Sequence, residues 1–142
     1  MGKRVFFDTN ILLDAILARE NGSKALLLLD MCHAGMIQGH VAPIFYVNIA
    51  YILRKRDKEE VHSILNSISK NIKILPMSGS QFMSAMDYGA VDDFEDMMQY
   101  QCAKEGYCDI IITNNVKDFL PFCTLQVMNA EEFLTQLLEN TI

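Results

Sequence analysis

Short apolar runs that recur between amphipathic stretches constrain this chain more than any other feature. Arg4-Val5-Phe6-Phe7 reads as a fully buried strand and ends at the polar triplet Asp8-Thr9-Asn10, which suits the start of a helix carrying Ile11, Leu12, Ala15 and Ile16. Gly22 and Ser23 open a second helical run, Lys24 to Ala34, which Gly35 stops. Met36 to Val41 fits a strand, and Pro43 fits the first turn of a third helix. The spacing of that helix places Ile44, Val47, Asn48, Tyr51 and Ile52 on one face, predicted to face inward. A helix from Lys58 to Ser69, a strand ending at Pro76 and a helix from Ser80 to Tyr88 follow. The rest reads as a helix to Glu105, the Ile-Ile-Ile strand Asp109 to Thr113, a polar loop to Asp118, a strand at Leu125 to Met128, and a helix from Ala130 to Glu139.

Alternation of this kind predicts an α/β fold, a central parallel sheet flanked by helices on both faces. With 142 residues the chain has room for one domain. At 51% hydrophobic and 21% charged residues, with 3 Pro and 7 Gly, disordered and collagen-like chains are excluded. The longest uncharged stretch, Gly35 to Leu53, is broken by Gln38, His40, Pro43 and Asn48, so no membrane span is expected. The four cysteines form no C-x-x-C pair and no secretory leader is read at the start, so buried, reduced thiols in a cytoplasmic protein are expected. The formal charge of −6 argues against a general coater of nucleic acid.

In doubly wound sheets a ligand binds beyond the carboxyl ends of the strands. That rule selects Asp8-Thr9-Asn10 and Thr113-Asn114-Asn115, polar segments placed where buried strands end. The third notable feature is acidic: Asp87, Asp92, Asp93, Glu95 and Asp96 put five carboxylates into ten residues. Asp92, Asp93 and Glu95 read as exposed residues at a helix N-terminus, where negative charge is favoured. Asp96 shares a helix face with Gln99, Cys102 and Ala103 and is expected to point inward, where an unpaired carboxylate is costly. Asn48 needs a polar partner on its apolar face. His33, His40 and His62 lack the spacing of a zinc centre, and no glycine-rich phosphate loop is present. Arg54, Lys55, Arg56 and Lys58 read as a solvated helix end or as a track for RNA backbone.

Three blocks resemble the signatures of PIN-domain nucleases, the family that includes VapC-type toxins of bacterial toxin–antitoxin pairs. They are Phe7 to Asp14, Asp96 to Ala103, and Ile111 to Phe119, and the likeness runs from about Val5 to about Leu134. The resemblance implies a single three-layer PIN-like domain and a ribonuclease dependent on Mg²⁺ or Mn²⁺, held by acids at the strand ends. Asp8 matches the first acid of the family and Asp96 the third, while Thr113 matches the small hydroxyl residue of the last block. Asn48 stands where the family has Glu and Asn115 where many members have Asp; the resemblance then makes Asp118 the substitute, with help from Asp93. Asn114 stands where the toxins often carry Arg. RNA as substrate, a small antitoxin protein as partner and a homodimer are further implications. The two asparagines keep open a PIN-fold module with weakened or lost catalysis that acts through RNA or protein binding. The residues alone also allow a small α/β domain that binds a phosphorylated ligand at its strand ends.

Overall fold

The computed structural model describes residues 2–87 and 94–139. The elements run β1 (Arg4–Phe7), α1 (Thr9–Ile16), α2 (Gly22–His33), β2 (Gln38–Val41), α3 (Ile44–Ile52), α4 (Lys58–Ser69), β3 (Ile72–Ile74), α5 (Gly79–Asp87), α6 (Phe94–Glu105), β4 (Ile110–Ile112), α7 (Val116–Phe119), β5 (Gln126–Met128) and α8 (Ala130–Leu138). The strands form one five-stranded sheet in the order β3-β2-β1-β4-β5, and each adjacent pair is parallel.

Side chains alternate across the strands, and that alternation splits the core into two layers. Val5, Phe7, Ile110 and Ile112 face one side and pack with Leu12, Leu28, Phe45, Ile49, Ile68 and Phe133 from α1, α2, α3, α4 and α8. Phe6 and Ile111 face the other side and pack with Tyr100 and Ala103 of α6 and Phe119 of α7. A parallel sheet covered on both faces leaves its central strands no polar face, which is why β1 and β4 read as unbroken apolar runs. Helix α2 ends where glycine is needed. Gly35 takes φ 77°, its N–H bonds the Cys32 carbonyl at 3.1 Å, and the Met36 N–H bonds the Met31 carbonyl at 2.9 Å. This is a Schellman closure, in which a left-handed residue satisfies the last carbonyls of the helix.

Two expectations change. The segment after β4 is not a plain loop, since Val116 to Phe119 form the short helix α7 and bury Phe119 beneath it. Helix α3 is turned relative to the predicted face: Phe45 and Ile49 are its buried residues, whereas Val47 and Tyr51 are each 65% exposed and Ile52 is 42% exposed. The helix is apolar nearly all round, so hydrophobic spacing does not single out an inner face. No helix among the described residues is long and apolar enough to cross a membrane.

The contact between α2 and the sheet is made through a residue with no side chain. A Cβ on Gly39 of β2 would lie 2.7 Å from Cys32 Sγ and 2.8 Å from Phe7 Cε2, inside a packed layer. Gly39→Ala is therefore expected to lower stability by about 1–3 kcal/mol through overpacking, read as an earlier midpoint in a urea melt with unchanged slope. A midpoint equal to that of the unaltered protein would show that the layer yields.

Candidate active site

The strand order reverses direction between β1 and β4. Chain connections leave β1 toward β2 and β3 on one side, then return to β4 and β5 on the other. The connections that leave the carboxyl ends of β1 and β4 therefore run apart and open the crevice in which such sheets bind ligands. Phe7 is in register with Ile112, so the next residues, Asp8 and Thr113, stand side by side at the rim. The Asp8 N–H bonds the Ile112 carbonyl at 3.0 Å, which fixes the backbone at that step.

Asp8 occupies the N-cap position of α1, but its side chain makes no capping hydrogen bond. The carboxylate turns instead to two donors from distant parts of the chain. Thr113 Oγ1 donates to Asp8 Oδ2 at 2.8 Å, and Gln99 Nε2 donates to Asp8 Oδ1 at 2.9 Å. Gln99 is 1% exposed and also accepts from the Thr9 N–H at 3.3 Å, so one amide spans the carboxylate and the first turn of α1. Thr113 in turn accepts from the Asn115 N–H at 3.0 Å. Sequence reasoning places Gln99 on the inner face of its helix but does not assign it this role. A buried amide in line with Asp96 was the available signal.

Asp8 is only 3% exposed. Burial raises its pKa above the ordinary 3.8, the bonds from Thr113 and Gln99 pull it part of the way back, and the Glu95 charge adds to the rise. Buried carboxylates with a pKa raised by desolvation cluster at functional sites, which makes Asp8 the candidate on which the site is built.

Asp8, Asn48, Glu95 and Asp96 line one pocket of about 220 Å³, together with Thr9, Asn10, Leu13, Tyr51 and Ile52. Asp96 lies in the first turn of α6 and is half-buried at this wall, in keeping with its expected inward face. Glu95 departs from the reading as a plain capping residue, because Asn48 Nδ2 donates to its Oε1 at 2.8 Å. Asn48 thus finds its polar partner in a carboxylate across the pocket. Thr9 Oγ1 is buried and has no hydrogen-bond partner. That hydroxyl belongs to the residue next to Asp8, and Thr9 as a residue is part of the pocket lining.

Other predicted residues fall elsewhere. Asn115 is exposed and precedes α7, and Asp118 is exposed in its first turn; neither lines this pocket. The Asn114 amide donates to Asp14 Oδ2 at 2.8 Å, while Arg19 Nη1 lies 3.6 Å from Asp14 Oδ1. Asp14 is 5% exposed, so this contact pins the turn after β4 to α1 and keeps Thr113 against Asp8. Asp93 lies outside the described residues. Arg54, Lys55 and Arg56 are exposed beyond the C-terminus of α3, and Arg56 Nη1 lies 3.6 Å from Glu60 Oε1.

The donor set suits a hard cation. Carboxylate oxygens and an amide carbonyl are ligand types that Mg²⁺ and Mn²⁺ prefer. Among the described residues no three acids, histidines or cysteines stand close enough to hold an ion by themselves. Mg²⁺ usually takes one or two carboxylates and completes its shell with water and substrate phosphate, and Asp8 and Asp96 are two carboxylates that line the same pocket.

The raised pKa makes Asp8 a measurable liability in metal-free buffer. Because its folded pKa exceeds its unfolded one, the folded state binds the extra proton; stability is full below pH 3.8 and declines as pH rises through the folded value. Asp8→Asn is expected to melt at or above the temperature of the unaltered protein at pH 7 in EDTA, with the gap closing as pH falls toward 4. A mutant markedly less stable at pH 7 would mean that the carboxylate contributes to folding.

Comparison with known proteins agrees with this fold. A family model described as PIN domain matches residues 4–117. Ribonuclease VapC1 of Aquifex aeolicus (strain VF5) is 24% identical over 136 residues, covering 92% of this chain and 93% of that protein. Among solved structures, VapBC2 from Rickettsia felis bound to a promoter DNA fragment aligns with a TM-score of 0.64 at 21% identity, over 88% of this chain and 97% of that one. The DNA-bound VapBC of Salmonella typhimurium aligns with a TM-score of 0.66 at 14% identity, over 92% and 99%. These structural likenesses establish the shared fold, and the family match spans both strand ends that build the pocket. By fold, by signature blocks and by family match, this chain belongs to the PIN domain family.

Proposed function

We propose that this protein is an endoribonuclease dependent on Mg²⁺ or Mn²⁺, and that it acts as the toxin of a toxin–antitoxin pair. The observation that carries this reading is the Asp8 carboxylate, buried at the strand ends, held by Thr113 and Gln99, and facing a pocket that Asp96 and Glu95 share. The likeness to Ribonuclease VapC1 supports nuclease activity, and the likeness to VapBC complexes supports a small antitoxin as protein partner.

Asp8 and Asp96 would hold the cation, with Asp93 and Asp118 as further carboxylates of the proposed set. Asn48, Thr113 and Asn115 support them. When bound, a divalent cation supplies positive charge to the scissile phosphate and lowers the pKa of a water ligand. The chain itself orients the groups. Thr113 and Gln99 each hold one Asp8 oxygen and so fix the carboxylate plane, while Asn48 holds Glu95 at the opposite wall. Each carboxylate oxygen keeps a second lone pair, so these bonds leave capacity for a cation.

A second reading has its own observation. Asn48 brings no charge and commits its amide to Glu95, and the exposed Asn115 and Asp118 do not line the pocket. A pocket with fewer acids would bind metal weakly, which favours a PIN-fold module that works through RNA or protein binding with little turnover.

The purified protein is expected to cleave RNA with Mn²⁺ and to stop in EDTA. Asp8→Asn and Asp96→Asn should each lower the rate roughly 100-fold or more while remaining folded. Mn²⁺ should raise the melting temperature of the unaltered protein and leave that of Asp8→Asn unmoved. Cleavage without metal, or full activity in both variants, would overturn the nuclease mechanism. RNA binding without cleavage would establish the second reading. For the toxin role, expression should arrest growth, and a small protein encoded beside it should co-purify and relieve the arrest.

A further inference from the structure

The turned face of α3 leaves an aromatic ring in an unusual position. Tyr51 is 65% exposed, yet it lines the pocket that holds Asp8 and Asp96. It does not anchor the helix, a task performed by Phe45 and Ile49 on the opposite side. Its ring is covered instead by a cation: Arg54 Cζ lies 4.1 Å from the ring centroid. Arg54 Nη1 also donates to the Tyr51 carbonyl at 2.9 Å, so the guanidinium is tethered where it lies. Exposed Ile52 extends the apolar wall beside the ring, and exposed Lys55 adds a second cation next to Arg54.

The charges around this rim are accounted for on both packed elements. Arg56 is engaged by Glu60, and the Asp57 side chain accepts from the Glu60 N–H at 3.2 Å as the cap of α4. Arg54 lies over the ring, and Lys55 follows it in the chain. A flat ring with a planar cation tied to it, opening beside a carboxylate pocket, matches a ligand that alternates a flat base with an anionic phosphate. Nucleobases stack on aromatic rings and on guanidinium planes, and they do so once they have left a duplex.

We propose that Tyr51 and Arg54 form a stacking platform for one unpaired nucleobase flanking the scissile phosphate. The place of the scissile phosphate rests on the nuclease reading above; the platform itself rests on the ring, the cation lying over it and the pocket that the ring borders. A base within an A-form helix is stacked on its neighbours and does not reach the ring. Arg rather than Lys is required at position 54, because the guanidinium is planar and an ammonium is not.

The test uses a short fluorescent single-stranded RNA, its duplex, and a copy with one base removed, measured by anisotropy in EDTA and by KM and kcat in Mn²⁺. Tyr51→Ala is expected to weaken single-strand binding, or raise KM, by roughly 5- to 150-fold, the range for loss of one stacked base. Tyr51→Trp should retain affinity. Arg54→Ala should reduce the salt slope of binding by about 0.7, the share of one phosphate contact on a single strand. Arg54→Lys should keep that slope and still lose affinity. Removing the base should bring the unaltered protein down to Tyr51→Ala and leave that variant unchanged. Both residues are exposed, so melting temperatures should match throughout.

Equal RNA affinity and KM in Tyr51→Ala would overturn the platform. Loss of a co-expressed protein partner with RNA affinity intact would overturn it as well, and would assign the ring to a protein interface. The two readings fail separately: Tyr51-dependent binding without any cleavage sinks the nuclease alone, and cleavage with an unaltered KM in Tyr51→Ala sinks the platform alone.

Discussion

The Asp8 carboxylate is the constraint around which the carboxyl end of the sheet is arranged. It lies 3% exposed at the end of β1, and each of its oxygens takes a hydrogen bond from a residue about a hundred positions later, Gln99 and Thr113. Burying a carboxylate is unfavourable unless such donors offset the lost water. The donors arrive only if β4 lies beside β1 and α6 packs across the sheet end, so the strand order β3-β2-β1-β4-β5 and the site require one another. Gln99 also receives the Thr9 N–H, which ties the start of α1 into the same arrangement. The Asn114–Asp14 contact secures the other side of the crevice.

What results is a pocket with an electrostatic deficit by design of its walls. Asp8, Glu95 and Asp96 bring negative charge to one small volume, whose other polar lining residues, Thr9, Asn10, Asn48 and Tyr51, carry no formal charge. The net charge of −6 thereby takes on a different meaning. Part of that excess is concentrated where a divalent cation would reverse its sign toward a phosphate, while cations of the chain gather at the C-terminal end of α3. An acidic protein can then bind an acidic polymer at one place and repel it elsewhere. The exchange between positions 48 and 95 is of the same kind: α3 contributes an amide, α6 contributes the carboxylate, and the hydrogen bond joins them.

Helix α3 shows where sequence patterns lose their force. Its residues Ile44-Phe45-Tyr46-Val47-Asn48-Ile49-Ala50-Tyr51-Ile52 are apolar at almost every position, so several stripes are equally hydrophobic and spacing selects none of them. Packing decides. Phe45 and Ile49 enter the layer with Leu12 and Leu28, and the stripe of Val47 and Tyr51 is left outside. The short helix α7 escaped for a related reason, since one turn carries too little periodicity to be told from a loop.

Much of the fold was legible in the residues. Apolar triplets bounded by Asp, Pro and Asn marked the strands, Gly35 marked the end of α2 and Pro43 the start of α3, and the sheet type followed from their alternation. The same reading named Asp8, Asp96, Thr113 and Asn48, because polar residues where buried strands end, and an acid or amide among apolar neighbours, are costly without a function. It did not name Gln99 as the partner of Asp8, Glu95 as the partner of Asn48, or Tyr51 as a wall of the pocket. Asn48 and Glu95 are 47 positions apart and Asp8 and Gln99 are 91 apart. Local sequence determines which groups must find partners; only the packing of helices across the sheet decides which partners they find, because contact energy depends on distance in space and not along the chain.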